Sequence, residues 1–525
     1  MSAPTQTDVA IVGAGPVGLV LGILLAQRGR TVTILEQWPD PYLLPRAVHF
    51  DHEIGRIIQA CGVGDDVRAI SEPAEVYEWR NASGDTLLRF GRIGVAASGW
   101  PFSSMFCQPE FEAILQQRAG SLPSLDVRRG RRVQSIAQHD GHVTVEHVGV
   151  VGDASEGLST DDADAETLTA AYVVGCDGAN STVRDLLDID VDDRGFHYDW
   201  LIVDVILDEP RVFDPVNQQI CDPARPTTAV SGGPGRRRWE FMRLPHETID
   251  ELNQAVRAWE LLAPWDVHPG NARLERHVVY TFQARVASRW RDGRAFLAGD
   301  AAHLMPPFAG QGMCSGIRDA ANLAWKLDLA LDPALAGAAG DALLDTYDEE
   351  RRPNAGAAID FSVELGKVIC VSDPDEAAAR DDAMRAGLQD GVSEAPPLPG
   401  IEHGVLDAAS PSAGTAFPQG QVDDRLFDDL HGAGWRLVTI DPAGDIDREL
   451  VDWFEAIGGA VVSVAERSAD LSHWFTTHDV RWALQRPDFH VFGTAADADG
   501  ASVLLARLRD RLTTPTTDPS KEAIR

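Results

Sequence analysis

Residues 8–36 read DVAIVGAGPVGLVLGILLAQRGRTVTILE, and their pattern indicates the class of fold. The first six residues are typical of a short buried strand, and three glycines then open a helix that we expect to end near Arg28. A second strand follows over residues 31–36 and ends on Glu36. This order predicts a dinucleotide-binding βαβ unit in which Glu36 accepts a ribose hydroxyl. An acid at that position suits FAD or NAD and disfavours a 2′-phosphate.

The three glycines have separate mechanical roles in such a unit. Gly13 would form the tight turn, Gly15 would let the backbone approach a pyrophosphate, and Gly18 would let the helix pack closely on the strand. We expect the pyrophosphate at the helix N-terminus, beside Pro16 and Val17. Free N–H groups and the helix dipole favour an anion at that end.

A second motif lies at residues 172–184, which read YVVGCDGANSTVR. A buried strand would end in Asp177 and Gly178, and a helix would start near Ser181. By themselves these features also fit an ordinary Asp-Gly turn that a serine cap follows. The segment therefore gains its meaning from the other motifs.

A third motif lies at residues 294–327, which read RAFLAGDAAHLMPPFAGQGMCSGIRDAANLAWKL. A strand would place Asp300 at its C-terminal end, where the carboxylate can bind a polyol chain. A rigid proline turn follows, and then Gly310 and Gly312 precede a long helix. Such glycines let backbone approach a flat ligand closely, and the helix N-terminus would stabilise negative charge on an isoalloxazine ring.

The composition limits the partners of this chain. Its 525 residues exceed what one core supports, so we expect two or three domains. There are 81 acidic and 46 basic residues, which gives a net charge of −35. Nucleic-acid phosphates and anionic membranes should be repelled, so we expect neither as a partner. A small anionic substrate is not excluded, because charges more than ~8–10 Å away are screened.

The cysteines indicate a reduced protein without a metal centre. All six are single and no CxxC pair occurs, which argues against a zinc knuckle and a thioredoxin-type redox pair. Residues 1–8 are polar and lack the pattern of a secretory signal, and no apolar run reaches the ~18–20 residues of a membrane span. We therefore expect a cytoplasmic enzyme that acts on small molecules.

Together the three motifs resemble the flavin-dependent aromatic hydroxylases, the single-component class A monooxygenases. Over about residues 8–360 the chain is more narrowly similar to the 3-(3-hydroxyphenyl)propionate hydroxylases. The stretches that carry this narrower similarity are residues 45–47, 199–204, 221–226, 238–242 and 345–352. The chain departs from that pattern at residues 48–50 and 307–309, which should line the reactive pocket, so the substrate stays open.

The resemblance implies FAD as the cofactor and NADH or NADPH as the electron donor. Asp177 and Gly178 would serve both nucleotides, and the Pro307 carbonyl would face both flavin and substrate. Beside the first glycine-rich turn, the residues that the resemblance assigns to FAD are Arg46, Gln108, Asp177, Gly178, Asp300, Pro307, Gly310, Gly312 and Met313.

The implied fold is α/β, with a Rossmann-like FAD-binding domain interleaved with a β-sheet substrate domain and followed by a thioredoxin-like C-terminal domain. Short alternating runs at residues 201–207, 238–244 and 276–282 independently suit an antiparallel sheet. An acidic, irregular stretch at residues 150–168 predicts an exposed hairpin tip or loop. The domain bounds that we expect are 1–75, 106–190 and 286–390 for FAD, 76–105 and 191–285 for the substrate, 391–423 for a linker, and 424–525 for the thioredoxin-like domain without CxxC.

The implied reaction hydroxylates a phenol ortho or para to an existing hydroxyl, with dioxygen, through a flavin C4a-hydroperoxide. The substrate would resemble 3-(3-hydroxyphenyl)propionate or a polyketide-type phenol. His49 is our candidate base, because phenolate is the better nucleophile. Arg238 and Arg225 are candidate partners for a substrate carboxylate, and Pro307 would also contact the substrate.

Two other classes of function stay open. One is an FAD-dependent reductase or dehydrogenase that inserts no oxygen, and the other is a non-enzymatic flavin redox sensor. A halogenase is disfavoured, because the sequence has no Trp-x-Trp-x-Ile-Pro run. The oligomeric state is open as well, with a homodimer as the working expectation.

Overall fold

The N-terminal unit has the predicted order of strand, helix and strand. The computed structural model describes residues 5–91, 93–153, 157–160, 165–387, 399–442, 444–464 and 467–514. In it, strand Thr5–Val12 leads into helix Pro16–Gln27 and then into the parallel strand Val32–Glu36. The helix is apolar on all sides because protein surrounds it, and most of its residues are buried.

These two strands belong to a nine-stranded sheet, which we call the nucleotide sheet. Its centre is parallel, as expected for a sheet that helices cover. The acidic stretch forms an antiparallel hairpin at one edge, as far as the described residues go, and the predicted hairpin is confirmed there. Besides the two strands above, the sheet contains Leu125–Arg129, Arg131–Gln138, Val143–Asp153, Gly157–Thr160, Glu166–Gly175, Arg291–Asp292 and Ala295–Leu297.

A second sheet of eight strands, the cover sheet, contains all three of the predicted alternating runs. It is antiparallel except where Val76–Asn81 pairs in parallel with Asn217–Cys221. Its two longest strands, Val191–Leu207 and Ala272–Ala287, pair along most of their length. The other strands are Thr86–Gly91, Thr227–Ser231, Arg236–Met242 and His303–Leu304.

Helices cover the nucleotide sheet and join it to the rest of the chain. The helix after the third motif, Gly312–Ala330, is almost wholly buried and packs against Pro16–Gln27. Within the described parts of the chain, no helix has the length and apolar composition of a membrane span. The remaining helices are His52–Ala60, Gly64–Ala69, Gln108–Gly120, Thr182–Leu186, Ile249–Leu252, Ala255–Leu262, Ala338–Ile369, Pro374–Gly387, Phe427–His431, Arg448–Ala456, Ala469–Thr477 and Ala498–Thr513, with 3-10 turns at Ala263–Trp265, Gly299–Ala301 and Pro307–Ala309.

The C-terminal part has its own sheet of four strands. Its strands are, in spatial order, Ala460–Ser463, Arg436–Thr439, Trp482–Gln485 and Val491–Ala495. The first pair is parallel and the others are antiparallel. The four residues of Trp482–Gln485 are all buried, so this strand shows no alternation of buried and exposed side chains by which its sequence could be recognised.

The predicted linker packs against the body of the protein where it is described. Ile401, Val405 and Phe417 are buried, and the backbone N–H of Val405 donates to Glu350 at 2.8 Å. Residues 388–398, which include the start of the predicted linker, lie outside the described residues. Two small sheets complete the fold: His49–Asp51 with Ser103–Phe106 and Ser71–Pro73, and Gln421–Val422 with Arg425–Leu426.

Candidate active site

A cavity of about 450 Å³ lies where the glycine-rich turn, the third motif and the cover sheet meet. This volume falls within the ~300–1,000 Å³ of typical ligand sites. One end is lined by turns and helix N-termini, and the other by strands of the cover sheet. Eleven of the predicted FAD residues line it: Gly15, Pro16, Val17, Arg46, Gln108, Gly178, Asp300, Pro307, Gly310, Gly312 and Met313.

The glycine-rich turn leaves open space where a cofactor would lie. Gly13 has a φ of +105° and Gly18 packs against its carbonyl, so a Cβ at either position would overlap backbone. A Cβ at Gly15, by contrast, would meet no atom within 4 Å. Gly13 and Gly18 therefore shape the turn, and Gly15 leaves open a space that fits the pyrophosphate of FAD.

Two helix N-termini face this space. Helices Pro16–Gln27 and Gly312–Ala330 both begin without a side-chain cap, so their first N–H groups are free to bind an anion. The Asp300 carboxylate opens into the cavity, and its enclosure by protein raises its pKa, against the opposing charges of His303 and Arg46. These groups suit the phosphates and the polyol chain of FAD.

Glu36 and Asp177 lie behind the lining of the cavity. The Glu36 carboxylate accepts the N–H groups of Ala14 at 2.8 Å and Trp38 at 2.9 Å. Asp177 accepts the Ser181 hydroxyl at 2.5 Å, and burial raises its pKa. Both carboxylates thus hold the turns that shape the site, and their contact with a nucleotide stays a prediction.

Arg46 and Gln108 both line the cavity. The Gln108 Oε1 atom accepts the N–H of Ala47 at 2.6 Å, which ties the segment after Arg46 to the helix that Gln108 opens. The Arg46 side chain is 51% exposed and lies 3.7 Å from Glu112. Its charge is therefore available to a phosphate.

His49 bridges two parts of the cavity wall. Its Nδ1 atom lies 3.2 Å from the Gly310 carbonyl, and its Nε2 atom lies 2.6 Å from the Ser103 Oγ atom. A carbonyl only accepts, so Nδ1 carries the hydrogen and Nε2 accepts the hydroxyl hydrogen of Ser103. Burial lowers the pKa of His49, which leaves the imidazole neutral near pH 7.

The two candidate arginines are both committed to carboxylates of the protein. Arg238 is buried, bonds Asp204 at 2.7 and 3.0 Å, and donates to the carbonyls of Pro45 and Arg46. Arg225 bonds both oxygens of Glu247 at 2.6 Å and does not line the cavity. Neither guanidinium is free to pair with a substrate carboxylate in this arrangement.

The sequence did not single out two polar residues that line the cavity, Ser103 and Glu240. Ser103 comes to His49 only through the pairing of two short strands that are far apart in sequence. Glu240 could have been found, because strand alternation places it on the same face as Arg238, two residues earlier.

Comparisons with known proteins identify the family of this chain. Residues 6–362 match the family model described as an FAD binding domain. The chain is 36% identical to a probable NADH-specific resorcinol 4-hydroxylase of Rhodococcus jostii, over 94% of this chain and 92% of that protein. It is also 36% identical to a 3-(3-hydroxyphenyl)propionate/3-hydroxycinnamic acid hydroxylase of a Mycobacterium species, over 96% and 88%. Its structure resembles OxyS, an anhydrotetracycline hydroxylase from Streptomyces rimosus, with a TM-score of 0.72 and 25% identity, over 98% of this chain and 100% of that chain.

Proposed function

Because this chain belongs to the FAD-binding family of flavin-dependent aromatic hydroxylases, we propose that it hydroxylates a small phenol ortho or para to an existing hydroxyl. The protein is an FAD enzyme of the monooxygenase class with a nicotinamide electron donor. One oxygen atom would enter a ring C–H bond, and the other would leave as water with two electrons from the donor. NADH is our proposed donor, by likeness to the NADH-specific relative.

The residues of the cavity divide between cofactor and substrate. FAD, when bound, supplies the redox chemistry: it takes a hydride from the donor and activates dioxygen. The helix N-termini, Arg46 and Asp300 would hold its phosphates and polyol chain, and residues 307–313 would lie along its ring. The phenol would lie between this segment and the cover sheet, against Val76, Val230 and Phe308.

His49 and Ser103 would move the phenolic proton. The Ser103 hydroxyl already donates to Nε2 of His49 at 2.6 Å, so it would accept the proton of the phenol while passing on its own. Nδ1 stays bonded to the Gly310 carbonyl throughout, which fixes the ring. The observation that carries the proposal is this pair, which lies within one cavity with the turns that fit FAD.

We also propose that the chain has the domain arrangement expected from its sequence. The nucleotide sheet would form the core of the FAD-binding domain, and the cover sheet would form that of the substrate domain. A thioredoxin-like assignment for residues 424–514 is supported by a four-stranded mixed sheet with flanking helices. At one edge of this sheet the outer two strands are parallel, and at the other edge they are antiparallel.

Oxygen insertion separates this proposal from an FAD-dependent reductase or dehydrogenase on the same fold. The FAD-loaded enzyme would be given NADH, isotopically labelled dioxygen and a panel of phenols, which includes resorcinol and 3-(3-hydroxyphenyl)propionate. We expect at least one phenol to stimulate NADH oxidation and to gain one labelled oxygen atom. Oxidation of NADH without a labelled product for every phenol of the panel would contradict the proposal.

A further inference from the structure

Glu240 is a cavity carboxyl that accepts no hydrogen bond from the described residues. It lies in strand Arg236–Met242 of the cover sheet and is only 7% exposed. None of the described residues donates a hydrogen bond to its carboxylate, and the nearest cation, Nη1 of Arg238, is 3.9 Å away. A buried carboxylate normally has hydrogen-bond donors, so this one lacks donors that a ligand can supply.

The charges around Glu240 do not replace such a partner. Burial raises its pKa to about 7, and the charge of Asp204 adds to this, while Arg238 and Arg276 oppose it. Arg238 is committed to Asp204 and to two backbone carbonyls. Burial raises the pKa of Tyr77, and the nearby charge of Glu240 adds to this effect. The Tyr77 hydroxyl donates to Gln219 at 3.3 Å.

The groups beside Glu240 are neutral hydrogen-bonding side chains. Thr228 is its cross-strand partner and donates its hydroxyl to Gln219 at 2.7 Å. Asn217 uses its Oδ1 atom to accept the N–H of Ser231 at 2.9 Å. Among the described residues that line the cavity, the arginines are Arg46 and Arg238 and there is no lysine; we assign Arg46 to the cofactor. As far as these residues show, this end of the cavity offers an acceptor and no unpaired cation.

We propose that Glu240 accepts a hydrogen bond from a second hydroxyl of the substrate, and that it selects uncharged dihydroxylated aromatics over aromatics with a carboxylate side chain. The inference rests on the proposed function and narrows the class of phenol that would be its substrate. A hydroxyl supplies the donor that the carboxylate lacks. A carboxylate in its place would lie beside ionised Glu240 in a site of low polarity, where the nearest arginine, Arg238, is already paired with Asp204.

Ligand binding without turnover tests this inference. Dissociation constants for resorcinol, for 3-(3-hydroxyphenyl)propionate and for the amide of that acid would be measured from the flavin absorption of the oxidised, FAD-loaded enzyme, at a pH well above the Glu240 pKa of about 7 so that this carboxyl is ionised. We expect resorcinol to bind best, and the amide to bind roughly 10-fold more tightly than the acid. Glu240→Gln should weaken resorcinol binding by roughly 10-fold and tighten binding of the acid by a similar factor.

Glu78→Gln is the matched control, because Glu78 is a buried carboxyl of the same sheet that does not line the cavity. Its ligand preference should equal that of the wild type. Wild-type enzyme that binds the acid at least as tightly as its amide would overturn the inference, and this comparison needs no variant. An unchanged preference in Glu240→Gln would overturn it as well. These equilibria do not require hydroxylation, so a failure of the proposed function would show separately, as NADH oxidation without labelled product.

Discussion

The Nε2 atom of His49 lies 2.6 Å from the Oγ atom of Ser103, and both residues line the cavity that fits FAD. If this pair moves the phenolic proton, Ser103→Ala should lower the rate of hydroxylation by roughly 100-fold, because it interrupts the route to the imidazole. His49→Gln should have a similar effect, and the double variant should be no worse than either single one. The measurement is product formed per NADH consumed, which should fall in all three variants.

The pH profile gives a second measure of the same pair. His49 has a lowered pKa and acts as the free base, so the wild-type rate should rise with pH through a pKa below 6.5. The rate of His49→Gln should not show this rise with pH.

Ser104→Ala is the control for Ser103→Ala, because Ser104 is buried next to Ser103, points to the other face of the strand and does not line the cavity. Equal losses in Ser104→Ala and Ser103→Ala would contradict the relay.

Two glycines of the first turn should respond differently to the same substitution. Gly15→Ala adds a methyl group to open space, so the apo-protein should keep its stability within about 1 kcal/mol, while FAD affinity falls roughly 10-fold or more. Gly18→Ala places the methyl group against the carbonyl of Gly13 and should cost about 3 kcal/mol or more of folding free energy. Urea unfolding of the apo-protein and titration with FAD measure the two effects. Full FAD affinity in Gly15→Ala would contradict the placement of the cofactor.

The βαβ unit could be predicted because its signals are local. Gly18 packs against the carbonyl of Gly13, and the strands before and after the helix lie within a few residues of its ends. Local pattern was also sufficient for the alternating runs of the cover sheet. The end of the helix and the start of the second strand differ from prediction by one residue, whereas the first strand starts three residues earlier than predicted.

The chemistry of the cavity could not be predicted in the same way. His49 meets Ser103, 54 residues later, and Gly310, 261 residues later. Whether an arginine or a carboxyl is free depends on such distant partners: Arg238 is neutralised by Asp204 from another strand, and Glu240 is left without a donor. The sequence therefore shows which charged groups share one face of a strand, but only the folded structure shows which of them lack a partner.

Substitution of Arg238 should lower the folding stability, and substitution of Arg225 should leave substrate binding unchanged. Arg238→Met leaves buried Asp204 with Arg276, 3.7 Å away, as its remaining cation and should cost about 3 kcal/mol of folding free energy. It also frees the carbonyl of Arg46, whereas the carbonyl of Pro45 keeps Arg276 as a donor, so FAD retention should fall. Arg225→Met acts outside the cavity and should leave the KM for the phenol within roughly twofold. A large rise in KM for Arg225→Met would restore Arg225 as a substrate residue.

The buried ion pairs of Glu350 should make the packing of the C-terminal part against the rest of the protein less stable at acid pH. Its Oε2 atom lies 2.6 Å from Arg486 and 2.8 Å from Lys326, with all three side chains fully buried. Burial alone would raise the pKa of Glu350, but the two cations outweigh it and lower the pKa to about 2. Glu350→Gln leaves buried Lys326 without its paired carboxylate and Arg486 with Asp488 alone, and should cost about 3–5 kcal/mol near pH 7.

The sign of the pH dependence follows from that depressed pKa. The stabilising contribution of Glu350 is fully present above its ordinary pKa of 4.5 and is lost as the pH falls towards 2, by about 3 kcal/mol in all. The difference in unfolding free energy between wild type and Glu350→Gln should therefore be constant from pH 7 to 5 and narrow below pH 4.5. Glu349→Gln is the control, because Glu349 is exposed on the same helix and should change stability by less than about 0.5 kcal/mol. A difference that stays constant down to pH 3 would mean that the charge of Glu350 does not hold Arg486 and the sheet behind it in place.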